Sequence, residues 1–106
     1  MEKKVIAVCG QLMNPSIAEF GLQQLAMNRQ IADHWMMHPW QAMQILNTVE
    51  IEKVARPGLP GWYFLELPVV EDKNFPQDQI ELRDKDKNVL VEFRNVGSLN
   101  VDRERR

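Results

Sequence analysis

The spacing of apolar residues changes character about halfway along the chain. Between residues 16 and 47 they recur every three or four positions, the period of an amphipathic helix. After Thr48 they alternate with polar residues, as in Val49-Glu50-Ile51-Glu52, which is typical of a half-buried strand. The pattern therefore predicts a helical first half followed by β-hairpins, an α+β arrangement.

Residues that are typical of helix ends indicate where each helix begins and ends. Ser16 and Glu19 match a capping box at a helix start. Pro39 suits the first residue of another helix, because a residue before proline, here His38, avoids the α region. Three helices are predicted, over residues 16–27, 29–36 and 39–47.

Two hairpins are predicted after the helices. Residues 49–53 and 62–67 flank a Pro/Gly-rich loop over 56–61, and residues 80–83 and 89–94 flank a polar turn. The second hairpin, within 79–94, must bury its apolar side against the helical body or against a second copy, as a homodimer. The run Val5–Cys9 fits either a strand or a helix.

Composition limits the class of protein. The chain has 106 residues, 44% hydrophobic and 26% charged, with a formal net charge of -2, which favours one globular domain over 1–106. That charge gives no general attraction to nucleic acid. No apolar run approaches the length of a membrane span, so we expect a cytoplasmic protein with a frayed charged tail over 102–106. The single cysteine, Cys9, is expected to be a buried, inert thiol.

Apolar residues on both sides of the predicted helix corner at 36–39 resemble those of a winged helix-turn-helix domain. The resemblance covers about residues 16–67 and rests on Ile31, Ala32, Trp35, Met37, Ala42 and Ile45. It implies a three-helix winged-helix-like core with the first hairpin as its wing, followed by a second, C-terminal hairpin. Two features depart from the family pattern, since Met36 stands where glycine is usual and the recognition helix, from Trp40 to Asn47, has no Lys or Arg.

The resemblance implies a small transcriptional regulator that binds double-stranded DNA. Amide side chains suit base edges and cations suit phosphates. The predicted base contacts are Gln41, Gln44 and Asn47, and the predicted phosphate contacts are Arg29, Lys53 and Arg56. Residues 1–70 carry five basic and six acidic side chains, a weak cationic balance for this role.

The alternative is a non-enzymatic protein-interaction module, an adaptor or inhibitor without nucleic-acid binding. Trp40, Trp62 and Tyr63 are its candidate partner contacts. The large residues Trp35, Met37 and Met43 are expected to pack in the core.

The sequence offers little support for a metal site or a catalytic site. His34 and His38 have metal-ligand spacing for a helix, but Pro39 interrupts that helix and no third histidine exists. We therefore expect no metal, no cofactor and no enzymatic activity.

Overall fold

The protein is a mixed β-sheet with helices on one face. The computed structural model describes residues 3–10, 12, 14–47, 54–57 and 61–96. Within them, the elements in chain order are β1 (Lys4–Val8), α1 (Pro15–Met27), β2 (His34–Met37), α2 (Pro39–Leu46), β3 (Ala55–Pro57), β4 (Trp62–Phe64), β5 (Leu67–Glu71), β6 (Gln79–Arg83) and β7 (Val89–Asn95).

The seven strands form one sheet in the order β1-β7-β6-β2-β5-β4-β3. β1 pairs parallel with β7 and β2 pairs parallel with β5, while the other neighbours are antiparallel. β1, β2, β3, β5 and β7 therefore run in one direction and β4 and β6 in the other, and β1 and β3 are the edges of the sheet among the described residues.

The sheet has one covered face and one open face. Alternate side chains of the central strands, Trp35 and Met37 in β2 and Ile80 and Leu82 in β6, are fully buried on the covered face. α1 packs there, and α2 contributes Ala42 and Ile45 to the same hydrophobic core. We call this side the helix face and the opposite side the open face.

The predicted three-helix winged-helix core is wrong. Residues 34–37, expected to end a second helix, form β2, and Ile31, expected to line that helix, is 84% exposed. β2 is hydrogen-bonded to β5 on one side and to β6 on the other, and this pairing outweighs a short helical pattern. The two helices of the described residues are thus separated by a central strand, and they form no helix-turn-helix.

The first and third predicted helices are confirmed as α1 and α2, with different capping in detail. Asn14, not Ser16, caps α1, and its side chain accepts a hydrogen bond from the Ile17 N–H at 3.0 Å. Pro15 then occupies the first turn, where its missing N–H has no cost. His38 caps α2 in the same way, because its Nδ1 accepts from the Trp40 N–H at 2.9 Å.

The second hairpin is confirmed by the β6–β7 pairing, and its apolar side is buried beneath the helices of the same chain. The first hairpin differs from its prediction. Arg56 and Pro57, expected in the loop, belong to β3, which pairs with β4. The expected strand over 62–67 is interrupted by a turn at Leu65 and Glu66, so β5 is a separate strand. β1 resolves the ambiguity at Val5–Cys9 in favour of a strand. The expectations for residues 49–53 and 102–106 fall outside the described residues.

Candidate partner-binding surface

The helices of this protein carry very little charge. Glu19 is the only Asp, Glu, Lys or Arg within α1 and α2. The outer side of a helix in a globular protein is normally charged or polar. The helix layer therefore differs from an ordinary solvated surface.

α2 exposes apolar residues on its outer side. Gln41, Ala42 and Ile45 are buried against the sheet, which fixes the rotation of this short helix. Trp40, Met43 and Leu46 consequently point outward and are 48%, 60% and 43% exposed. Residues three apart lie on one side of a helix, so these three form a continuous strip. We call this strip the α2 surface.

The expected inward packing of Met43 is therefore wrong, and Leu46 was not recognised as a candidate. Trp35 and Met37 are buried as expected, both with 0% exposure. Ala42 and Ile45 mark the inner side of α2. At about 100° per residue, Met43 lies roughly 100° from Ala42 and 160° from Ile45, so these inner positions already place Met43 outside.

Gln41 does not point toward solvent as a base-reading residue would. It is 4% exposed, and its Nε2 donates a hydrogen bond to the carbonyl oxygen of Gln77 at 2.6 Å. This bond attaches α2 to the segment that precedes β6. Because the amide is used inside the protein, Gln41 has a structural role.

A cavity of about 210 Å³ adjoins the α2 surface at Trp40. It lies beside the carboxyl ends of β1 and β7, where the side chain of Asn95 donates to the carbonyl oxygen of Gly10 at 2.7 Å. Its lining residues are Gly10, Leu12, Trp40, Gln41, Gln44 and Asn95. None of the described residues that line the cavity is Lys, Arg, Asp or Glu, so this lining is uncharged, like α2 itself.

Cations cluster with carboxylates on the open face. Glu92 in β7 has a side-chain exposure of 1% and contacts Lys3 Nζ at 2.6 Å and the guanidinium of Arg94. Glu81 lies directly opposite in β6 and is held by Arg83 at 2.6 Å. Like charges directly opposite each other destabilise a sheet, and here each carboxylate is paired with its own cations, Glu92 with Lys3 and Arg94 and Glu81 with Arg83.

The pKa of Glu92 reflects this arrangement. Burial alone would raise the pKa of its carboxyl, but hydrogen bonds and the positive charges of Lys3 and Arg94 outweigh it. The pKa of Glu92 is therefore lowered from its ordinary value, and the group stays ionised.

The other predicted DNA contacts lie on three different parts of the fold. Arg29 is in the exposed segment after α1, Gln44 is half-buried within α2, and Asn47 caps the end of α2. Arg56 in β3 pairs with Glu66 at 3.0 Å and stacks 4.3 Å from the Tyr63 ring centroid. Lys53 lies outside the described residues.

The three predicted partner contacts are also not brought together. Trp40 belongs to the α2 surface. Trp62 is half-buried and donates its indole N–H to Glu71 at 3.2 Å, and Tyr63 lies under Arg56 on the open face.

The candidate chemical groups serve local structure. His34 Nδ1 is 2.8 Å from Asp33, and His38 caps α2. Cys9 is exposed, which corrects the expected burial. The described residues include no group of three His, Cys, Asp or Glu arranged for a metal ion.

No helix in the described part of the chain is long and apolar enough to cross a membrane. Comparison of the sequence with protein-family models found no match, and comparisons with curated proteins and with solved structures found none either.

Proposed function

We propose that this protein is a non-enzymatic interaction module that binds a partner protein through the α2 surface. The observation that carries the proposal is the exposed strip Trp40, Met43 and Leu46 on a helix without a charged residue. Interface cores are depleted in charge and enriched in Trp and Met, and Trp dominates binding hot spots. An uncharged apolar strip on a small domain fits this description.

The charge distribution favours protein over nucleic acid as the partner. Phosphate contacts require Lys or Arg, and neither helix contains one. Lys3, Arg56, Arg83 and Arg94 are already paired with Glu92, Glu66 or Glu81. The DNA-binding hypothesis also required a helix-turn-helix, and we do not propose it further.

The α2 surface defines the chemistry of its partner. A charged group of the partner that became buried against Trp40 and Met43 would lose its hydration without forming an ion pair. Burying an unpaired charge has a large free-energy cost. The partner should therefore present an uncharged, mainly apolar patch. An uncharged side chain that projects from that patch would fit the cavity beside Trp40.

The test compares matched single-charge variants. Trp40→Asp and Met43→Asp place a carboxylate on the α2 surface, whereas Val70→Asp places one on the open face at a residue of similar exposure, 40%. Each protein is immobilised and used to capture partners from a lysate of its own organism. We expect a protein retained by the wild type and by Val70→Asp, and lost from the two α2 variants.

Binding is then measured with the purified partner. We expect both α2 substitutions to weaken affinity by about thirtyfold or more, as for a hot-spot residue, with little dependence on salt. A partner that binds all variants equally, or a complex with duplex DNA that dissociates as salt rises, would overturn the proposal.

A further inference from the structure

The edge strands β1 and β3 differ in how well they are protected against pairing with a strand of another molecule. β3 has three residues and includes Pro57, which lacks an N–H, and Arg56. Short length, proline and charge protect an edge. β1 has five residues, Lys4–Val8, and its central residues are uncharged and free of proline. Within the described residues β1 is hydrogen-bonded only to β7, so one side of β1 is open.

A hydrogen bond between Val8 and Val96 shows which backbone groups of β1 point toward β7 and which point away from it. The carbonyl oxygen of Val8 accepts from the Val96 N–H at 3.0 Å, so Val8 directs its backbone toward β7. Backbone direction alternates along a strand, and Ile6 therefore also faces β7. The N–H and C=O groups of Val5 and Ala7 point away from the sheet, toward the open side.

We propose that β1 pairs antiparallel with β1 of a second copy, around a two-fold axis at Ile6. In this register Val5 of one chain faces Ala7 of the other, and each such pair exchanges both of its backbone hydrogen bonds. Ile6 faces its own copy as a non-hydrogen-bonded pair, in which side chains approach most closely. A two-fold interface of this kind is closed and cannot extend into a fibre.

Charge favours the antiparallel direction of this pairing. Lys4 would face Val8 of the second copy, and Lys3 would face Cys9, so the lysines lie at opposite ends of the pairing. An in-register parallel arrangement would place Lys4 directly opposite Lys4, which is unfavourable.

The side chains also complement each other. Ile6 is partly buried against the core on the helix face, and a second Ile6 would extend that core across the edge. Val5, 49% exposed on the open face, would gain Ala7 as its neighbour. The interface uses neither α2 nor its cavity, so it is independent of the proposed function.

Two substitutions at one position test the backbone pairing. Ala7→Pro removes an outward N–H but no bond to β7, and proline is tolerated at an edge strand when its missing N–H faces solvent. Ala7→Val keeps the N–H and is the control. In sedimentation velocity at rising concentration, we expect wild type and Ala7→Val to approach twice the monomer mass. We expect Ala7→Pro to associate about tenfold to a hundredfold more weakly, because the dimer loses two donors.

Cysteine cross-linking tests the register and does not depend on the folding of the proline variant. In a Cys9→Ser background, Ile6→Cys places one thiol at the two-fold axis, and Val5→Cys places one opposite Ala7. With copper–phenanthroline as oxidant, we expect a disulfide-linked dimer from Ile6→Cys and far less from Val5→Cys. A wild-type protein that stays monomeric, a dimer unchanged by Ala7→Pro in a folded protein, or preferential cross-linking at residue 5 would overturn the proposal.

Discussion

Gly21 of α1 lies directly against the ring of Phe93 in β7. A Cβ atom at Gly21 would stand 2.4 Å from Cζ of Phe93, closer than real atoms approach. Glycine normally weakens a helix interior. At Gly21 the absence of a side chain allows α1 to pack closely against β7.

Replacing Gly21 with alanine should destabilise the protein despite the better helix propensity of alanine. Phe93 is fully buried and must move to admit the new methyl group. We expect a loss of about 1–3 kcal/mol in the free energy of unfolding, measured by urea denaturation. Gly61→Ala is the control, since a Cβ there meets nothing within 4 Å. Equal stability of Gly21→Ala and wild type would contradict the close packing of α1 on β7.

Trp35 should be the largest single contributor to the core. Its indole N–H donates to the carbonyl oxygen of Phe64 at 2.9 Å, and its ring contacts Phe64 at 5.2 Å and Phe93 at 5.9 Å between centroids. Trp35→Phe removes the donor and leaves a smaller ring, and we expect a cost of about 2–4 kcal/mol.

The same change at Trp62 provides the comparison. Trp62 is half-buried, and its indole bonds to the exposed Glu71. Trp62→Phe should cost about 1 kcal/mol or less in the same urea assay. If Trp35→Phe and Trp62→Phe lowered the free energy of unfolding by similar amounts, the hydrogen bond from Trp35 to Phe64 would not contribute appreciably to stability.

Glu92 should make stability depend on acid pH. Because the pKa of Glu92 is lower in the folded protein than its ordinary value, the group contributes stability above the ordinary value, and this contribution is lost as pH falls through the lowered one. We expect the unfolding free energy to decrease from about pH 5 downward, and Glu92→Gln to decrease less steeply over that range.

Glu66→Gln is a suitable control for this measurement. Glu66 and its partner Arg56 are exposed, with side-chain exposures of 76% and 51%, and solvent screens such pairs. Its pH profile should match that of the wild type. A Glu92→Gln profile as steep as the wild-type profile would contradict the role given to Lys3 and Arg94.

The turn between β4 and β5 is held in an unfavourable conformation. Leu65 and Glu66 have φ values of 51° and 67°, a region that favours glycine. Glu66→Gly should relieve strain of about 1–2 kcal/mol, partly offset by glycine's greater chain entropy and by the lost ion pair with Arg56. We expect a net stabilisation of about 0.5–1 kcal/mol by thermal unfolding, whereas Glu71→Gly, within β5, should destabilise.

The elements with a clear pattern in their own residues were predicted correctly. Pro39 marks the start of α2, and the alternation around Ile80 and Val91 marks β6 and β7. β2 could not be predicted in this way, because four residues carry little local pattern and the strand forms through its neighbours β5 and β6. A helix placed over residues 29–36 then led to the winged-helix interpretation.

The candidate site was predictable only in part. Trp40 is predicted as a candidate contact because the sequence does not require it in the core, and an exposed large aromatic is typical of a partner surface. The outward position of Met43 follows from the predicted inner positions Ala42 and Ile45. The position of Leu46 required the exact rotation of α2, to which the buried Gln41 and its bond to the distant residue Gln77 contribute. The position of Arg56 beside Glu66 depends on the pairing of β3 with β4, which the sequence pattern alone does not specify. Glu92 and Arg94, in contrast, share a face because they are two residues apart in β7.

Photo-cross-linking in living cells tests the α2 surface most directly. A photoreactive phenylalanine analogue is placed at residue 43 on the α2 surface or at residue 70 on the open face, in the organism that makes the protein. We predict that illumination joins residue 43 to one partner protein and that Trp40→Asp abolishes this product, while residue 70 does not form it. Equal cross-linking from both positions, or no protein product from residue 43, would contradict the assignment of the α2 surface as the binding site.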